Sequence, residues 1–340
     1  MSDALLTVED LQTHLPTADG LVRAVDGVDF TVERGETVCL VGESGSGKTL
    51  TCDSITGLVG HPDADISGRV AFDERDLLAA GESTMRSVRG DRIGYVFQNA
   101  QSALDPVYTV GEQIVEAMSF HDTVDGTEGR ERAVELLRTV GISRPEQRVD
   151  QYPHEFSDGM CQRAAIAIGL AAAPDLLIAD EPTSAVDVTI QARIIDLLER
   201  IQAERDLSLL LVTHDLRVVS ALADRVVVLY DGRVVERGPL SSVFGSPGHP
   251  YTQALLRSFT GDGERSDDAA DGPAPDGCPF RNECPHAVDA CAGQKPAFHA
   301  VGGATDHEAA CVFHGPDRDP ATVMAEAPRF GDGPGGASHE

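Results

Sequence analysis

The chain has 340 residues, more than one compact core usually covers, so we expect one large domain with an insertion or an appendage. It contains 27 basic and 56 acidic residues. The resulting formal net charge of −29 argues against nucleic acid or an anionic membrane surface as the main partner. Only Lys48 and Lys295 are lysines, and this acid-rich, lysine-poor balance resembles that of proteins from salt-accumulating (halophilic) organisms.

The sequence also bears on the cellular compartment. The first residues lack a basic region followed by an apolar core, so we expect no secretory signal and a cytosolic protein. The longest apolar run, residues 164–174, is too short to span a bilayer. We therefore expect any association with a membrane to come through partner subunits.

Strand patterns dominate the first hundred residues. Alternating apolar residues between positions 5 and 32 predict short antiparallel strands, and residues 68–72 predict another. A continuous apolar run at 38–41 predicts a buried strand instead. Together these patterns indicate an α/β protein with a small antiparallel sheet beside a parallel core sheet.

A glycine-rich loop lies between the strand at 38–41 and a helical stretch at 50–58. Its glycines permit turns that aim backbone N–H groups inward, and the helix start adds a positive dipole, so the loop predicts a phosphate-binding cradle. In such a P-loop, Lys48 would reach the β- and γ-phosphates and Thr49 would offer a hydroxyl to Mg²⁺. The loop consists of Gly42, Glu43, Ser44, Gly45, Ser46, Gly47, Lys48 and Thr49.

The middle of the chain changes from strand patterns to helix patterns. Residues 92–97 predict a buried strand that ends at Gln98. From about residue 110 the apolar spacing is helical, so we expect a helical subdomain inserted at about 99–165. Its last helix is predicted to begin with Ser157 as N-cap and to run to about residue 173.

The next apolar strand ends in two carboxylates, Asp180 and Glu181. Because ligands bind at the carboxyl ends of parallel strands, both acids are expected at the functional edge of the sheet. Another apolar strand, at 208–212, is followed closely by His214. A strand at 225–229 and a hairpin signal at 230–233 come next, and we expect the domain of residues 4–260 to end there.

Two segments near the carboxyl end have the composition of disordered chain. Residues 261–277 are rich in Asp, Gly, Ala and Pro and predict an acidic flexible linker. Residues 316–340 are similar and predict a disordered tail. The part between them, residues 278–315, is cysteine-rich and is named here the C-terminal extension.

The C-terminal extension carries four of the seven cysteines. In a reducing cytosol such a group indicates a metal site rather than a set of disulfides. The spacing alone leaves a [4Fe–4S] cluster, a zinc ion and free thiols open, although the absence of a C-x-x-C pair disfavours an ordinary zinc ribbon. The four are Cys278, Cys284, Cys291 and Cys311.

The order of these motifs resembles that of the ATP-binding subunits of ABC transporters over about residues 4–260. The resemblance is carried by the P-loop, Gln98, a signature-like segment at 157–160, the two acids at 180 and 181, the segment 184–187, and His214. Residues 248–252, Gly-His-Pro-Tyr-Thr, together with the cysteine-rich tail further resemble the oligopeptide, dipeptide and nickel import branch.

The resemblance implies ATP and Mg²⁺ as cofactors and a role for each motif. Asp180 would hold Mg²⁺ through the metal's second coordination shell beside Thr49, and Gln98 would contact the metal and the attacking water. Glu181 would accept a proton from that water, and His214 would sense or stabilise the γ-phosphate. Nucleotide contacts across a dimer interface would come from Ser157, Gly159 and Asp187.

The resemblance also implies an architecture and partners. It implies a RecA-like parallel core sheet, and a [4Fe–4S] centre in the C-terminal extension. The partners would be a second homologous ATPase subunit or a second copy of this chain, two transmembrane permease subunits and, indirectly, an extracytoplasmic solute-binding protein. The location would be the cytoplasmic face of the membrane.

Several functions remain open at this point. The expected role is ATP hydrolysis coupled to import of di- or oligopeptides, with nickel or another small solute, or a mainly regulatory nucleotide-binding subunit, as alternatives. The net charge opposes a soluble ABC ATPase of DNA repair or translation. The sequence also shows neither a second ATPase half nor a long coiled coil.

Two positions depart from the family pattern. Asp158 stands where the usual signature has glycine. Two like charges about 5 Å apart at an effective dielectric of ~20 repel by roughly 3 kcal/mol. The Asp158 carboxylate would therefore weaken the partner's ATP site if it faces the γ-phosphate. It would have no such effect if it faces away. Residues 14–17 lack the aromatic residue that often stacks on adenine, so Leu15 is expected to pack on the base, with His14 as an alternative.

Overall fold

The computed structural model describes residues 4–18, 20–119, 126–184, 186–260, 276–325 and 327. Within these ranges, no helix is both long and apolar enough to cross a membrane. The strands are β1 (Ala4–Thr17), β2 (Gly20–Glu33), β3 (Thr37–Val41), β4 (Asp65–Phe72), β5 (Arg75–Asp76), β6 (Ile93–Val96), β7 (Leu176–Asp180), β8 (Ser208–Thr213), β9 (Arg225–Tyr230), β10 (Arg233–Pro239), β11 (His299–Ala300) and β12 (Glu308–Ala309).

Helices connect most of the strands and cover the sheet. The α-helices are α1 (Lys48–Thr56), α2 (Glu82–Val88), α3 (Ala100–Ala103), α4 (Val110–Ser119), α5 (Gly126–Thr139), α6 (Pro145–Arg148), α7 (Asp158–Gly169), α8 (Val188–Arg205), α9 (Leu216–Leu222), α10 (Leu240–Gly245), α11 (Pro250–Thr260) and α12 (Ala321–Met324). Short 3₁₀ turns occur at Pro153–Glu155, Asp289–Cys291 and Val312–His314.

The amino-terminal strands form an antiparallel sheet in the order β2-β1-β4-β5, as the alternating pattern predicts. The strands β1 and β2 are longer than expected, at 14 residues each. Their pairing shifts register several times, for example between Val8 and Leu11, where Asp10 has a φ of 45°. Each shift reverses the phase of the alternation, so a long strand looks like several short ones in the sequence.

The core sheet has the order β11-β12-β10-β9-β3-β8-β7-β6 within the described chain. The five strands from β9 to β6 are parallel, whereas β10, β12 and β11 add antiparallel pairings. The sheet is therefore mixed rather than wholly parallel. The predicted hairpin is confirmed: Asp231 and Gly232 take positive φ values of 46° and 74° and turn β9 back into β10.

Successive residues of the buried core strands face different layers. Val38 and Leu40 of β3 belong to a cluster shared with the antiparallel sheet, whereas Cys39 and Val41 belong to a cluster shared with the helices. All five residues of β3 are buried. Burial on both faces explains why these strands read as continuous apolar runs.

The helices α3 to α7 lie between β6 and β7, where the insertion was expected. The helix α7 ends at Gly169, a few residues earlier than predicted. Ser157 occupies its N-cap position, as predicted, although its side chain makes no capping hydrogen bond.

The C-terminal extension joins the core sheet instead of forming a separate unit after residue 260. The strand β12 pairs with β10 through Glu236 and Ala309, and β11 pairs with β12. Residues 261–275 of the predicted linker lie outside the described residues. Residues 316–340 were predicted to be disordered, but residues 321–324 form α12. This helix packs Val323, which is 1% exposed, against Cys311 and Phe313.

Candidate functional site

The P-loop wraps around the side chain of Lys48. The ammonium Nζ donates to the carbonyl oxygens of Gly42 (2.8 Å) and Glu43 (2.6 Å), and it lies 3.2 Å from Ser46 Oγ. Burial lowers the pKa of Lys48, and the nearby carboxylates of Glu181 and Asp180 oppose this shift. A buried cation in the first turn of α1, next to a glycine-rich loop, is suited to binding phosphate.

Two glycines of the P-loop are required by close packing. A Cβ on Gly42 would lie 2.2 Å from the carbonyl oxygen of Leu229, and one on Gly47 would lie 2.4 Å from that of Ala24. Gly47 also has a φ of +95°, which disfavours a side chain. The exposed residues Ser44 and Gly45 form the tip of the loop, where a Cβ on Gly45 would meet nothing within 4 Å.

Residues distant in sequence support the P-loop from behind. The N–H of Gly232 donates to Ser46 O (3.0 Å), and the N–H of Glu43 donates to the hydroxyl of Tyr251 (3.0 Å). No local sequence pattern predicts these contacts. The one sequence signal is that Tyr251 lies in the segment 248–252, which carries part of the family resemblance.

Asp180 lies at the end of β7 beside the P-loop helix. It is 2% exposed, and burial raises its pKa to about 6, while the Thr49 side chain opposes the shift. Its Oδ1 atom is buried and has no hydrogen-bond partner among the described residues. An unsatisfied carboxylate oxygen beside a hydroxyl fits a hard oxygen-ligated cation such as Mg²⁺, so Asp180 and Thr49 are the residues that would hold it.

Each carboxylate oxygen of Glu181 is in hydrogen-bond contact with a neighbouring side chain. Gln98 Nε2 donates to Oε2 (2.9 Å), and His214 Nδ1 lies 2.8 Å from Oε1. Glu181 has a φ of 46°, an uncommon conformation for a non-glycine residue, and its N–H donates to Val212 O of the neighbouring strand. The structure thus brings together three side chains that the sequence analysis had assigned to catalysis.

The signature-like segment opens α7. Gly159 packs so tightly that a Cβ would lie 2.6 Å from Ile190 Cγ2 of α8, whereas Ser157 is exposed. The carboxylate of Asp158 accepts a hydrogen bond from Gln101 Nε2, a contact that the sequence analysis did not foresee. Asp187 caps α8, accepting from the N–H groups of Thr189 and Ile190 at the start of that helix.

The segment predicted to contact adenine lies at the end of β1. Leu15 is half-buried and pairs with Val22 of β2, two residues before Ala24, which lies against the P-loop. His14 Nε2 is buried, 4.0 Å from Asp26 Oδ1, and has no hydrogen-bond partner in the described chain. Contact of Leu15 with the base stays a prediction.

The four cysteines of the C-terminal extension lie near one another. Burial, and then proximity to the thiolates of the other three, raises the pKa of Cys311 to about 12. Burial, and then proximity to the thiolates of Cys291 and Cys284, raises the pKa of Cys278 to about 11. The Cys278 Sγ is 3.7 Å from His249 Nε2. Within the described ranges, no group of three or more His, Cys, Asp or Glu side chains is arranged to hold a metal ion.

The core of the site therefore combines a phosphate cradle, a buried cation, a carboxylate with a free ligand position and a second carboxylate held by Gln98 and His214. Phosphoryl transfer to water requires this combination of charge neutralisation, a held metal and an oriented nucleophile. The fold and the site define a P-loop nucleotide-binding protein equipped for ATP hydrolysis.

Comparison with known proteins agrees with this class. Residues 25–184 match the family model described as ABC transporter, and residues 235–291 match the model described as oligopeptide/dipeptide transporter, C-terminal region. The chain is 41% identical over 306 residues to the dipeptide transport ATP-binding protein DppD of Escherichia coli (88% of this chain, 94% of the relative). It is 46% identical over 303 residues to the oligopeptide transport ATP-binding protein AppD of Bacillus subtilis (86% and 92%).

The solved structures agree in fold. An ATP-binding cassette in a dimeric post-hydrolysis state, bound to ADP and Pi, has a TM-score of 0.63 and 28% identity over 69% of this chain and 98% of its own. A component of an ABC transporter complex from Clostridium perfringens has a TM-score of 0.61 and 29% identity, covering 72% and 91%. The chain belongs to the family of ABC transporter ATP-binding subunits, and it is an ATPase of that family.

Proposed function

We propose that this chain couples ATP hydrolysis to the import of di- or oligopeptides. The observation that carries the peptide specificity is the match of residues 235–291 to the C-terminal region of oligopeptide and dipeptide transporters. The relatives DppD and AppD are named for transport of these substrates, and the match to each extends over more than four fifths of both chains. The hydrolytic part of the proposal rests on the geometry around Glu181.

Each residue of the site has a separate role in the proposed reaction. Lys48 and the P-loop N–H groups neutralise and orient the phosphates. Asp180 and Thr49 would hold Mg²⁺, which would supply further neutralisation of the phosphate charge. Glu181 accepts the proton of the attacking water. Gln98 and His214 keep the Glu181 carboxylate oriented, since each contacts one of its oxygens.

We propose the following assembly. Two nucleotide-binding chains sandwich ATP, so that Ser157 and Gly159 of one chain face the P-loop of the other. A homologous cassette has been solved as a dimer with bound ADP and Pi, which supports this arrangement. The dimer would act with two permease subunits at the cytoplasmic face of the membrane, fed by an extracytoplasmic solute-binding protein.

Uptake measurements test the transported substrate. A strain deleted for this gene should lose uptake of a labelled dipeptide or oligopeptide, and the wild-type gene should restore it. A control gene carrying Lys48→Ala should not restore it, because Lys48 makes the central contacts of the P-loop. Loss of ⁶³Ni²⁺ uptake with unchanged peptide uptake would contradict the peptide assignment and favour nickel.

A regulatory subunit with little turnover is the second candidate within this family. It is favoured only by Asp158, and the hydrogen bond from Gln101 offers that carboxylate another role. The contacts of Glu181 with Gln98 and His214 favour hydrolysis. Steady-state ATP turnover by the complete complex, measured with the partner's site inactivated, would decide between the two.

We also propose a [4Fe–4S] cluster on Cys278, Cys284, Cys291 and Cys311. The fold gathers four buried or half-buried thiols from two separate parts of the C-terminal extension, which fits a cofactor with four thiolate ligands. Bound there, it would crosslink residues 278–291 to Cys311.

Anaerobic purification of the full chain tests this assignment. The protein should be brown, with about four irons per chain and a broad absorbance at roughly 400 nm. A colourless protein with one zinc would assign the site to zinc. Metal-free protein with four titratable thiols would contradict both metal assignments.

The salt-adapted composition leads to one further proposal. A surface with a net charge of −29 is destabilised by self-repulsion at low ionic strength, so molar KCl should stabilise the protein. A melting temperature that does not rise between 0.1 M and 2 M KCl would contradict the hypothesis of a salt-accumulating host.

A further inference from the structure

We infer that Tyr251 is a positioning residue of the nucleotide site and that the C-terminal extension acts on the P-loop through it. The Tyr251 hydroxyl accepts a hydrogen bond from the backbone N–H of Glu43, at 3.0 Å. Glu43 is the second residue of the P-loop, and Tyr251 is 2% exposed. The inference rests on the proposed binding of ATP at this loop.

The backbone at the start of α11 fixes Tyr251 in place. Its N–H donates to His249 Nδ1 (3.1 Å), and the N–H groups of Gly248 and His249 donate to the carboxylate of Glu236 (2.7 and 2.8 Å). Glu236 is fully buried, and its Oε1 is 2.7 Å from His307 Nε2 in the C-terminal extension. A fully buried carboxylate with three such partners is costly to move, so Tyr251 is presented to the P-loop from a rigid base.

An aromatic cluster connects Tyr251 to the cysteine-bearing segment. The ring of Phe280 lies 5.5 Å from that of Tyr251 and 5.4 Å from that of Tyr230, and the two tyrosine rings are 4.5 Å apart. Phe280 is 5% exposed and lies between Cys278 and Cys284 in sequence. Any change that shifts this segment therefore displaces a side chain packed directly on Tyr251.

The contact acts on nucleotide affinity because the P-loop must hold its shape when phosphate binds. Without the hydroxyl, the Glu43 N–H loses its fixed partner and the loop samples more conformations. The P-loop must then become ordered when ATP binds, and the entropy lost in this ordering weakens ATP affinity. The groups that carry out hydrolysis are not altered. Tyr251 is therefore expected to affect KM more than kcat.

The substitution Tyr251→Phe removes the hydroxyl and keeps the ring. We expect the Kd for a fluorescent ATP analogue and the KM for ATP to rise about 3- to 10-fold, as for loss of one hydrogen bond, with kcat within about twofold. Tyr230→Phe is the matched control, because Tyr230 belongs to the same aromatic cluster but its hydroxyl donates to Glu283 and not to the P-loop. A merely structural role would lower the melting temperature and the active fraction and leave KM unchanged.

A double-mutant cycle tests the connection to the C-terminal extension. Phe280→Leu should raise KM in the wild-type background and have no further effect in the Tyr251→Phe background. Additive effects would overturn the connection, and an unchanged Kd in Tyr251→Phe, or an equal change in Tyr230→Phe, would overturn the positioning role. A wild-type chain that binds no ATP would overturn the proposed function as well, so the two failures are distinguishable.

Discussion

The Nδ1 atom of His214 lies 2.8 Å from Oε1 of Glu181, across the ends of two adjacent parallel strands. Glu181 is mostly buried, with 15% of its side chain exposed, whereas the His214 side chain is 62% exposed. With Gln98 on the other carboxylate oxygen, both oxygens of Glu181 are held. A carboxylate held in this way suits the general-base role proposed for Glu181, because it would need little rearrangement before accepting a proton.

The first prediction tests the proposed role of Glu181 as general base. Glu181→Gln keeps the shape and both neighbours but cannot accept a proton, so turnover should fall about 10²- to 10⁴-fold while ATP binding is retained. ATP-dependent dimerisation should then persist, because the nucleotide is no longer consumed. Glu199→Gln, at an exposed position on α8, is the control and should hydrolyse normally. Wild-type turnover in Glu181→Gln would refute the assignment.

The second prediction separates two constraints on the P-loop glycines. Gly47→Ala would place a Cβ 2.4 Å from a backbone carbonyl oxygen at a φ of +95°, whereas Gly45→Ala has a φ of +82° and open space around it. Gly45→Ala should cost about 1–2 kcal/mol of stability from backbone strain alone. Gly47→Ala should cost more and should also lose ATP binding. Urea unfolding and nucleotide titration measure the two effects, and equal costs would contradict the packing argument.

The sequence predicts which residues meet at the carboxyl ends of the core strands, and it does so for a definite physical reason. Strands buried on both faces appear as apolar runs, and the polar residues that follow them, such as Glu181 and His214, must meet where parallel strands end. What it does not predict depends on distant partners. Glu43 and Tyr251 are 208 positions apart, and the two-residue strands β11 and β12 are too short to show any periodicity.

The ion-pair network at Asp26 is another feature without a local signal. Asp26 in β2 contacts Arg233 of β10 (2.7 Å) and Lys295 of the C-terminal extension (2.9 Å), which is one of only two lysines in the chain. Arg233 also donates to the Gly277 carbonyl oxygen. The network ties both sheets to the extension through residues that are separated by more than two hundred positions.

The third prediction follows from the charge of Asp26. Burial raises its pKa, but hydrogen bonds from Lys295 and Arg233 outweigh burial and hold the pKa below the usual 3.8. A depressed pKa stabilises the fold above pH 3.8, and this contribution is lost as the pH falls from there through the folded-state pKa. Asp26→Asn should therefore lower the free energy of unfolding by about 2 kcal/mol at pH 7, with a smaller difference below pH 3.8.

Urea unfolding of the wild type and the variant across pH 3 to 7 measures this difference. Asp196→Asn, at an exposed position on α8, is the matched control and should differ little from the wild type at any pH. A difference between Asp26→Asn and the wild type that stays constant below pH 3.8 would show that the ion pairs are not its source.

The last prediction concerns Asp158, the departure from the usual signature. Its carboxylate accepts a hydrogen bond from Gln101 Nε2 within the same chain, so its charge is directed to the helical subdomain. If this contact keeps the carboxylate away from the partner's phosphates, Asp158→Gly should leave turnover of the complex within about twofold.

Gln101→Ala should release the carboxylate and lower turnover about two- to fivefold, the modest size expected for a solvent-screened charge. The double variant should recover wild-type turnover, because it no longer carries the released charge. A marked increase in turnover in Asp158→Gly would show instead that the carboxylate already opposes the phosphates, and a neutral Gln101→Ala would show that Gln101 does not restrain it.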